Sequence, residues 1–191
     1  MALLSLEHSP AGYRADVALY AVAIAGLAGL MVWAAPRPEA LALGAWVLAG
    51  GAMWSAIEYL LHRFVLHGVQ PFRRWHALHH ARPMALIGTP TWVSALLFGA
   101  LAFLPGWLWL GRWPACALTL GLLLGYLGYT VAHHAVHHWR MQAGWLQRLK
   151  HNHALHHHGA QACCYGVSTG FWDTVMGTAQ QRPRPGRRPA P

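Results

Sequence analysis

His76-Ala77-Leu78-His79-His80 returns downstream as His153-Ala154-Leu155-His156-His157, and the rest of the chain is best understood outward from this pair. On a helix, positions i, i+3 and i+4 share one face, so each copy aims three imidazoles in one direction. A single histidine is ordinarily a structural residue. Two such triplets describe a metal site, because a neutral imidazole is a strong ligand for first-row transition metals. His62 and His67 lie upstream and His133 and His137 lie between the copies, so ten of the fifteen histidines fall into four spaced clusters.

The clusters sit beside long apolar stretches. Residues 17–35, 40–61, 86–104 and 114–132 each approach the roughly 20 residues that cross a bilayer as a helix. With 55% hydrophobic residues, 10% charged residues and eleven tryptophans, the chain belongs in lipid rather than among soluble globules. The fold class is therefore all-α and integral to a membrane, with about four transmembrane helices. Pro90 lies near the start of the third stretch and Pro105 closes it, so two readings stand for it: a full span, or one arm of a deep hairpin over 86–132. Trp107, Trp109 and Trp113 surround the intervening turn, as interfacial aromatics do.

Charge sets the orientation. With four spans, Arg37 and Arg112 lie on one side and the other twelve of fourteen basic residues on the opposite side, which the distribution of Lys and Arg assigns to the cytoplasm. The histidines share that side. The formal charge of +9 then describes a basic rim against anionic head groups, and no motif supports a nucleic-acid partner. Residues 1–16 form an N-terminal segment without the pattern of a removable signal peptide. Residues 17–178 form the membrane-embedded domain, and residues 179–191 an Arg- and Pro-rich tail expected to be disordered.

Cys116, Cys163 and Cys164 give no even-numbered framework and no C-x-x-C pair, so reduced thiols are expected. Gly121 and Gly125 form a small-xxx-small pair suited to close helix packing inside the bundle. His62 and His67, five residues apart, are about 140° out of register on a regular helix. A break near the membrane surface, at or after Arg63, is therefore expected. Glu58 lies one turn before His62, and two readings stand: it accepts the N–H of a ligand imidazole, or it is buried and paired with Arg63 or another basic residue.

Two octahedral ions offer about twelve coordination positions, and ten imidazoles leave about two for water, oxygen or substrate. Tetrahedral structural zinc would leave none. Bundles that hold metals with bridging carboxylates need Glu-x-x-His, whereas this chain has five acidic residues in all and only Glu58 adjoins a cluster. The site is all-histidine. Beside a bilayer, such a dinuclear site suits iron that turns O2 on an unactivated C–H bond of a lipid; zinc can replace iron in purified protein, since imidazole sites bind it at least as well.

His62-x4-His67, His76-x2-His79-His80 and His153-x2-His156-His157 resemble the histidine motifs of the sterol desaturase/fatty acid hydroxylase superfamily. Trp54-Ser-Ala-Ile-Glu-Tyr-Leu-Leu-His62 with its continuation to His67, His133-x3-His137, and Tyr165-Gly-Val-Ser-Thr-Gly-Phe-Trp-Asp173 are similar to the fatty acid 2-hydroxylase branch over about residues 50–178. The resemblance implies a transmembrane helical base under a cytosolic helical cap. In it His62, His67, His76, His79, His80, His133, His137, His153, His156 and His157 bind two irons, with O2 as co-substrate. It further implies hydroxylation of a lipid acyl chain, at C2 in this branch. Reaction there would need an approach cleft with apolar walls between the spans and the cap. The branch commonly has an acidic residue where Thr130 follows Tyr129. Its eukaryotic members often carry a fused cytochrome b5 domain; no residues here are left for one, so a separate donor of cytochrome b5, ferredoxin or reductase type is expected.

Around the ligands, Glu58, Tyr129, His134, His138, His151, His158 and Asp173 are candidates to support the site from behind. The four histidines among them are also candidates as alternative ligands, and for Asp173 and Tyr165 a role in organising the cap stands beside a purely structural one. Carotenoid and sterol hydroxylases or desaturases of the same superfamily are the nearest rivals; in the carotenoid enzymes four residues typically separate the histidines of the third motif, where three separate them here. A non-enzymatic membrane metal-binding or transport protein is a rival of another class, but a transport pathway would put ionisable ligands inside the spans rather than at their ends. The strong preference for Arg over Lys and the abundance of Ala point to a bacterial cytoplasmic membrane.

Overall fold

Ser9 opens the first helix. Its hydroxyl accepts the Gly12 N–H at 3.1 Å, and Pro10 occupies a first-turn position that needs no N–H donor. In the computed structural model, which describes residues 7–180, α1 accordingly runs Pro10–Ala34, beginning within the segment expected to precede the first span. Of the tail expected over 179–191, residues 181–191 lie outside the described residues, as do the first six residues of the chain.

The second helix, α2 (Ala40–Leu60), corrects the expected break. The chain continues without interruption into a π-helical turn over Leu61–Leu66, where the His67 N–H reaches the His62 carbonyl at 3.2 Å. A wider turn with i→i+5 bonding brings residues five apart onto one face, so His62 and His67 come together by widening the helix rather than ending it. A short helix, α3 (Phe72–Ala81), follows.

The third apolar stretch also differs from expectation. α4 (Thr91–Leu97), a second π-helical turn (Phe98–Phe103) and α5 (Leu104–Leu110) form one rod through Pro105. The widened turn gives room to a proline ring that would otherwise meet the carbonyl four residues back. The rod ends instead at Gly111, whose φ of +88° makes the turn into α6 (Arg112–His138). α7 (Gly144–His158) and the short α8 (Phe171–Val175) complete the order. Among the described residues the nearest thing to a strand is one isolated bridge between Glu7 and Ile87.

Among the described residues, four stretches are long and apolar enough to cross a membrane: Pro10–Ala34, Arg37–Leu66, Thr91–Leu110 and Arg112–His138. The last is the centre of the bundle, with 56% of its apolar window buried against 6, 17 and 11% in the other three. Its closest partner is α2. A side chain at Gly121 would overlap the Val47 carbonyl oxygen, one at Gly50 would overlap that of Leu118, and one at Gly125 would meet Trp54. The small-residue pair is therefore spent inside the bundle, where close approach maximises dispersion contacts. Trp54, Leu118 and Leu122 form the buried apolar centre, ringed by Phe98, Tyr126 and Tyr129. At the far end of the bundle the Arg112 guanidinium covers Trp113 at 4.8 Å.

Candidate metal centre

Three elements and one turn deliver the ten histidines. The π-helical turn after α2 and the residue that follows it carry His62 and His67, α3 carries His76, His79 and His80, the end of α6 carries His133 and His137, and α7 carries His153, His156 and His157. The long α6 is what joins core to site, because its last turns extend the face packed on α2.

The imidazoles gather into two groups. His62, His67, His76, His80 and His156 offer nitrogens that all lie within 4.8 Å of one another, and so do His79, His133, His137 and His153. His157 joins neither group by that measure but stands between them: its ring stacks on His80 at 4.2 Å and lies 4.6 Å from His153 and 4.8 Å from His79. Both of its nitrogens are buried and without a hydrogen-bond partner among the described residues.

The tautomers in the first group follow from simple bookkeeping. The Tyr165 carbonyl lies 2.5 Å from His62 Nδ1 and the Cys163 carbonyl 2.8 Å from His156 Nδ1. A carbonyl only accepts, so both rings donate from Nδ1 and carry a lone pair on Nε2. Those lone pairs point inward, with His62 Nε2 3.0 Å from His76 Nε2 and His156 Nε2 3.0 Å from His67 Nε2. His76 Nε2 is also 3.1 Å from His80 Nε2. One ring proton cannot serve both contacts, whereas a cation among the nitrogens serves all of them, and a carbonyl behind the ring is the usual support of a ligand histidine. In the second group Nε2 of His79 faces that of His133 at 3.1 Å, and Nε2 of His153 faces that of His137 at 2.8 Å. Nδ1 of His79 and of His153 is buried without a partner among the described residues. The donor set fits two ions bound through nitrogen.

Burial keeps these groups ready to ligate. Loss of hydration is the largest cause, and the neighbouring imidazoles add to it. Together they lower His67 and His80 to about 4, His79 to about 3 and His157 to about 2. His76 and His153 fall well below the ordinary range for the same reasons. His156 is lowered by burial too, against the opposing pull of the Cys163 carbonyl. At neutral pH the rings are uncharged, which metal binding requires.

Glu58 is buried, as one of its two readings has it, but its partners are neither an imidazole nor Arg63. Its carboxylate accepts the Val167 and Ser168 N–H groups at 2.7 and 2.8 Å and the Ser168 hydroxyl, while Arg63 donates to the Tyr59 hydroxyl at 2.8 Å. Asp173 does similar work from α8. It accepts the Tyr165 and Gly166 N–H groups at 2.8 and 2.9 Å and the Thr178 hydroxyl at 2.7 Å. Two buried carboxylates thus pin residues 165–168, and that segment's first carbonyl orients His62.

Tyr129 lies parallel to His133 at 5.7 Å. His134 and His138 stack on each other at 4.3 Å, outside both groups. His158 is exposed beside His157 at 5.9 Å, and His151 is exposed, so neither belongs to a group. Thr130 bonds back to the Tyr126 carbonyl at 2.9 Å. The carbonyls of Cys163 and Tyr165 escaped the sequence, since a backbone acceptor has no side-chain signature; the resemblance of residues 165–173 was the one signal near them.

An apolar hollow of about 340 Å³, lined by Leu124, Leu127, Val131, Ala135 and Trp139 among others, lies along α6. Trp145 and Leu146 of α7 close its other side, so it is an apolar space between a membrane-length helix and the histidine-bearing α7; Val131 and Ala135 flank His133 at two residues' distance, about 200° round the helix, so it opens on the side of α6 away from that imidazole.

A fatty acid hydroxylase family model matches residues 47–178. A dihydroceramide fatty acyl 2-hydroxylase of Arabidopsis thaliana is 33% identical over 151 residues, covering 71% of this chain and 61% of its own length. The fatty acid 2-hydroxylase of Rattus norvegicus is 32% identical over 154 residues, covering 74% of this chain and 41% of its own. The chain therefore spans about three fifths of the plant relative and two fifths of the animal one. Among solved structures, the hydroxylase domain visible in full-length scs7p has the same fold, with a TM-score of 0.78 at 23% identity over 92% of this chain and 68% of that one.

Proposed function

Since the chain belongs to the fatty acid hydroxylase family, we propose that it inserts one oxygen atom of O2 into a lipid acyl chain at C2, using two irons held by the ten histidines. The observation that carries the reading is the convergence of inward lone pairs in two adjoining groups at the ends of membrane-length helices. Its relatives' names, which include dihydroceramide fatty acyl 2-hydroxylase and fatty acid 2-hydroxylase, support an acyl substrate and the C2 position.

The balance of the reaction is fixed: a CH2 group, O2, two electrons and two protons give CHOH and water. Bound iron would supply the redox chemistry of oxygen activation, and a separate donor the electrons. The chain's own residues do the rest. His62 and His156 are held in one tautomer by the Tyr165 and Cys163 carbonyls, and Glu58 and Asp173 hold the segment that carries the first of these. The helices select a substrate that is already in the membrane. A C–H beside the carboxyl or amide carbon is the part of an anchored lipid nearest the helix ends, whereas a carbon deep in the tail would have to bend back. The distribution of Lys and Arg supports a cytoplasmic position for the histidines.

The test is expression under 18-O2 with a suitable reductase, comparing wild type with His157→Ala by mass spectrometry of total lipids. Labelled 2-hydroxy acyl chains only in the wild type are expected. A labelled carotenoid or sterol would move the substrate to a rival branch, and no labelled product across varied donors and lipids would leave metal binding without hydroxylation.

A further inference from the structure

His134 and His138 stand one turn apart near the end of α6, each next in sequence to a member of the second group, the inner group of His79, His133, His137 and His153. Their rings stack 22° from parallel, and Tyr13 of α1 lies against His134 at 5.2 Å. Both are half-buried, and neither makes a hydrogen bond to any described residue, so their nitrogens are uncommitted. Side chains at i and i+4 share a helix face. The same spacing supplies two zinc ligands in the helical H-E-x-x-H motif.

Position gives the pair its significance. One opening, with room of about 20 Å³, is lined at once by Tyr13, His134 and His138 and by His79, His133 and His137 of the inner group. That is the space of a single water-sized occupant. Two members of the inner group are closed off from solvent: His79 is 4% and His153 2% exposed. A divalent ion entering it must exchange its waters for nitrogen ligands, and a two-nitrogen station at the mouth divides that exchange into two smaller steps.

We propose that His134 and His138 are a metal-loading site, a weak third site for a first-row divalent cation that passes ions through this opening to His79, His133 and His137. The proposal rests on the reading of the inner histidines as a metal centre. It assigns the pair a role in acquiring metal and none in the hydroxylation itself.

The test uses the full chain in detergent or nanodiscs, stripped with a chelator and titrated with zinc alone. Stoichiometry is read by calorimetry, and the loading rate is read by stopped flow with a zinc-sensitive dye. Wild type is expected to show two tight equivalents and one weak one. His134→Ala/His138→Ala is expected to keep the two tight equivalents, lose the weak one, and load more slowly by on the order of tenfold. His138→Cys, which restores a ligand, should recover most of the rate. A weak equivalent that persists in the double variant overturns the site, and its loss with an unchanged loading rate overturns the loading role. Absence of tight equivalents from both proteins overturns the inner centre itself, a result distinct from either.

Discussion

The two histidine groups are built to different plans. In the first, His62 and His156 are locked from behind by the Tyr165 and Cys163 carbonyls, and a pair of buried carboxylates holds the segment containing one of those carbonyls. In the second, His79 and His153 have no partner behind them among the described residues, and their orientation comes from the packing of α3, α6 and α7. A ring clamped from behind is oriented before metal arrives; a ring held by its helix is oriented by the metal as much as by the fold. The first group should therefore bind more tightly and depend on the closing segment, and the second should depend on the helices.

The largest effect expected from this contrast is at a ligand. His156→Ala removes a clamped nitrogen, so one metal equivalent should be lost and hydroxylated lipid should fall by ~100-fold or more, beyond the cost of losing a supporting partner. Metal analysis with lipid profiling checks both. Glu58→Ala acts one step further out: freeing residues 167 and 168 loosens the Tyr165 carbonyl. Affinity of the first ion should drop by about 10- to 100-fold while the second ion is retained. Competitive chelator titration separates the two, and equal weakening of both ions would break the comparison. Glu58→Gln, which keeps an acceptor oxygen, should lie between.

Two smaller effects concern the scaffold and the charge state. Gly121→Ala puts a methyl group against the Val47 carbonyl, which should cost ~1–3 kcal/mol of stability from overpacking without changing the ratio of the two ions. Thermal unfolding in nanodiscs measures it. For the metal-free chain, His67 and His80 titrate near 4 when folded, below the ordinary 6.5 of an unfolded histidine. The unfolded chain takes up protons first as pH falls, so stability is full above about 6.5 and declines toward about 4. Stability that increased as the pH fell through that interval would contradict neutral, buried rings.

Much of this was legible in the sequence because side-chain spacing reports helix faces. The triplets at 76–80 and 153–157, the pair at 133 and 137, and the apolar lengths of the spans each carry a period that can be counted. What escaped was backbone. The pair His62 and His67 implied a change of helix, but residue types do not distinguish a widened turn from a break, and the same ambiguity hid the passage of the third rod through Pro105. Glu58 was singled out by position, yet its partners are the N–H groups of Val167 and Ser168, more than a hundred residues away, and every residue but proline offers one. Asp173 was marked by resemblance alone for the same reason.

Iron counted per chain, after gentle purification without chelators, tests the pairing of the two groups most directly. The account requires two ions in the wild type, one in His156→Ala and one in His133→Ala, with the more tightly held ion surviving in the second variant. A wild type with a single ion, or a variant of one group that empties both, would contradict it.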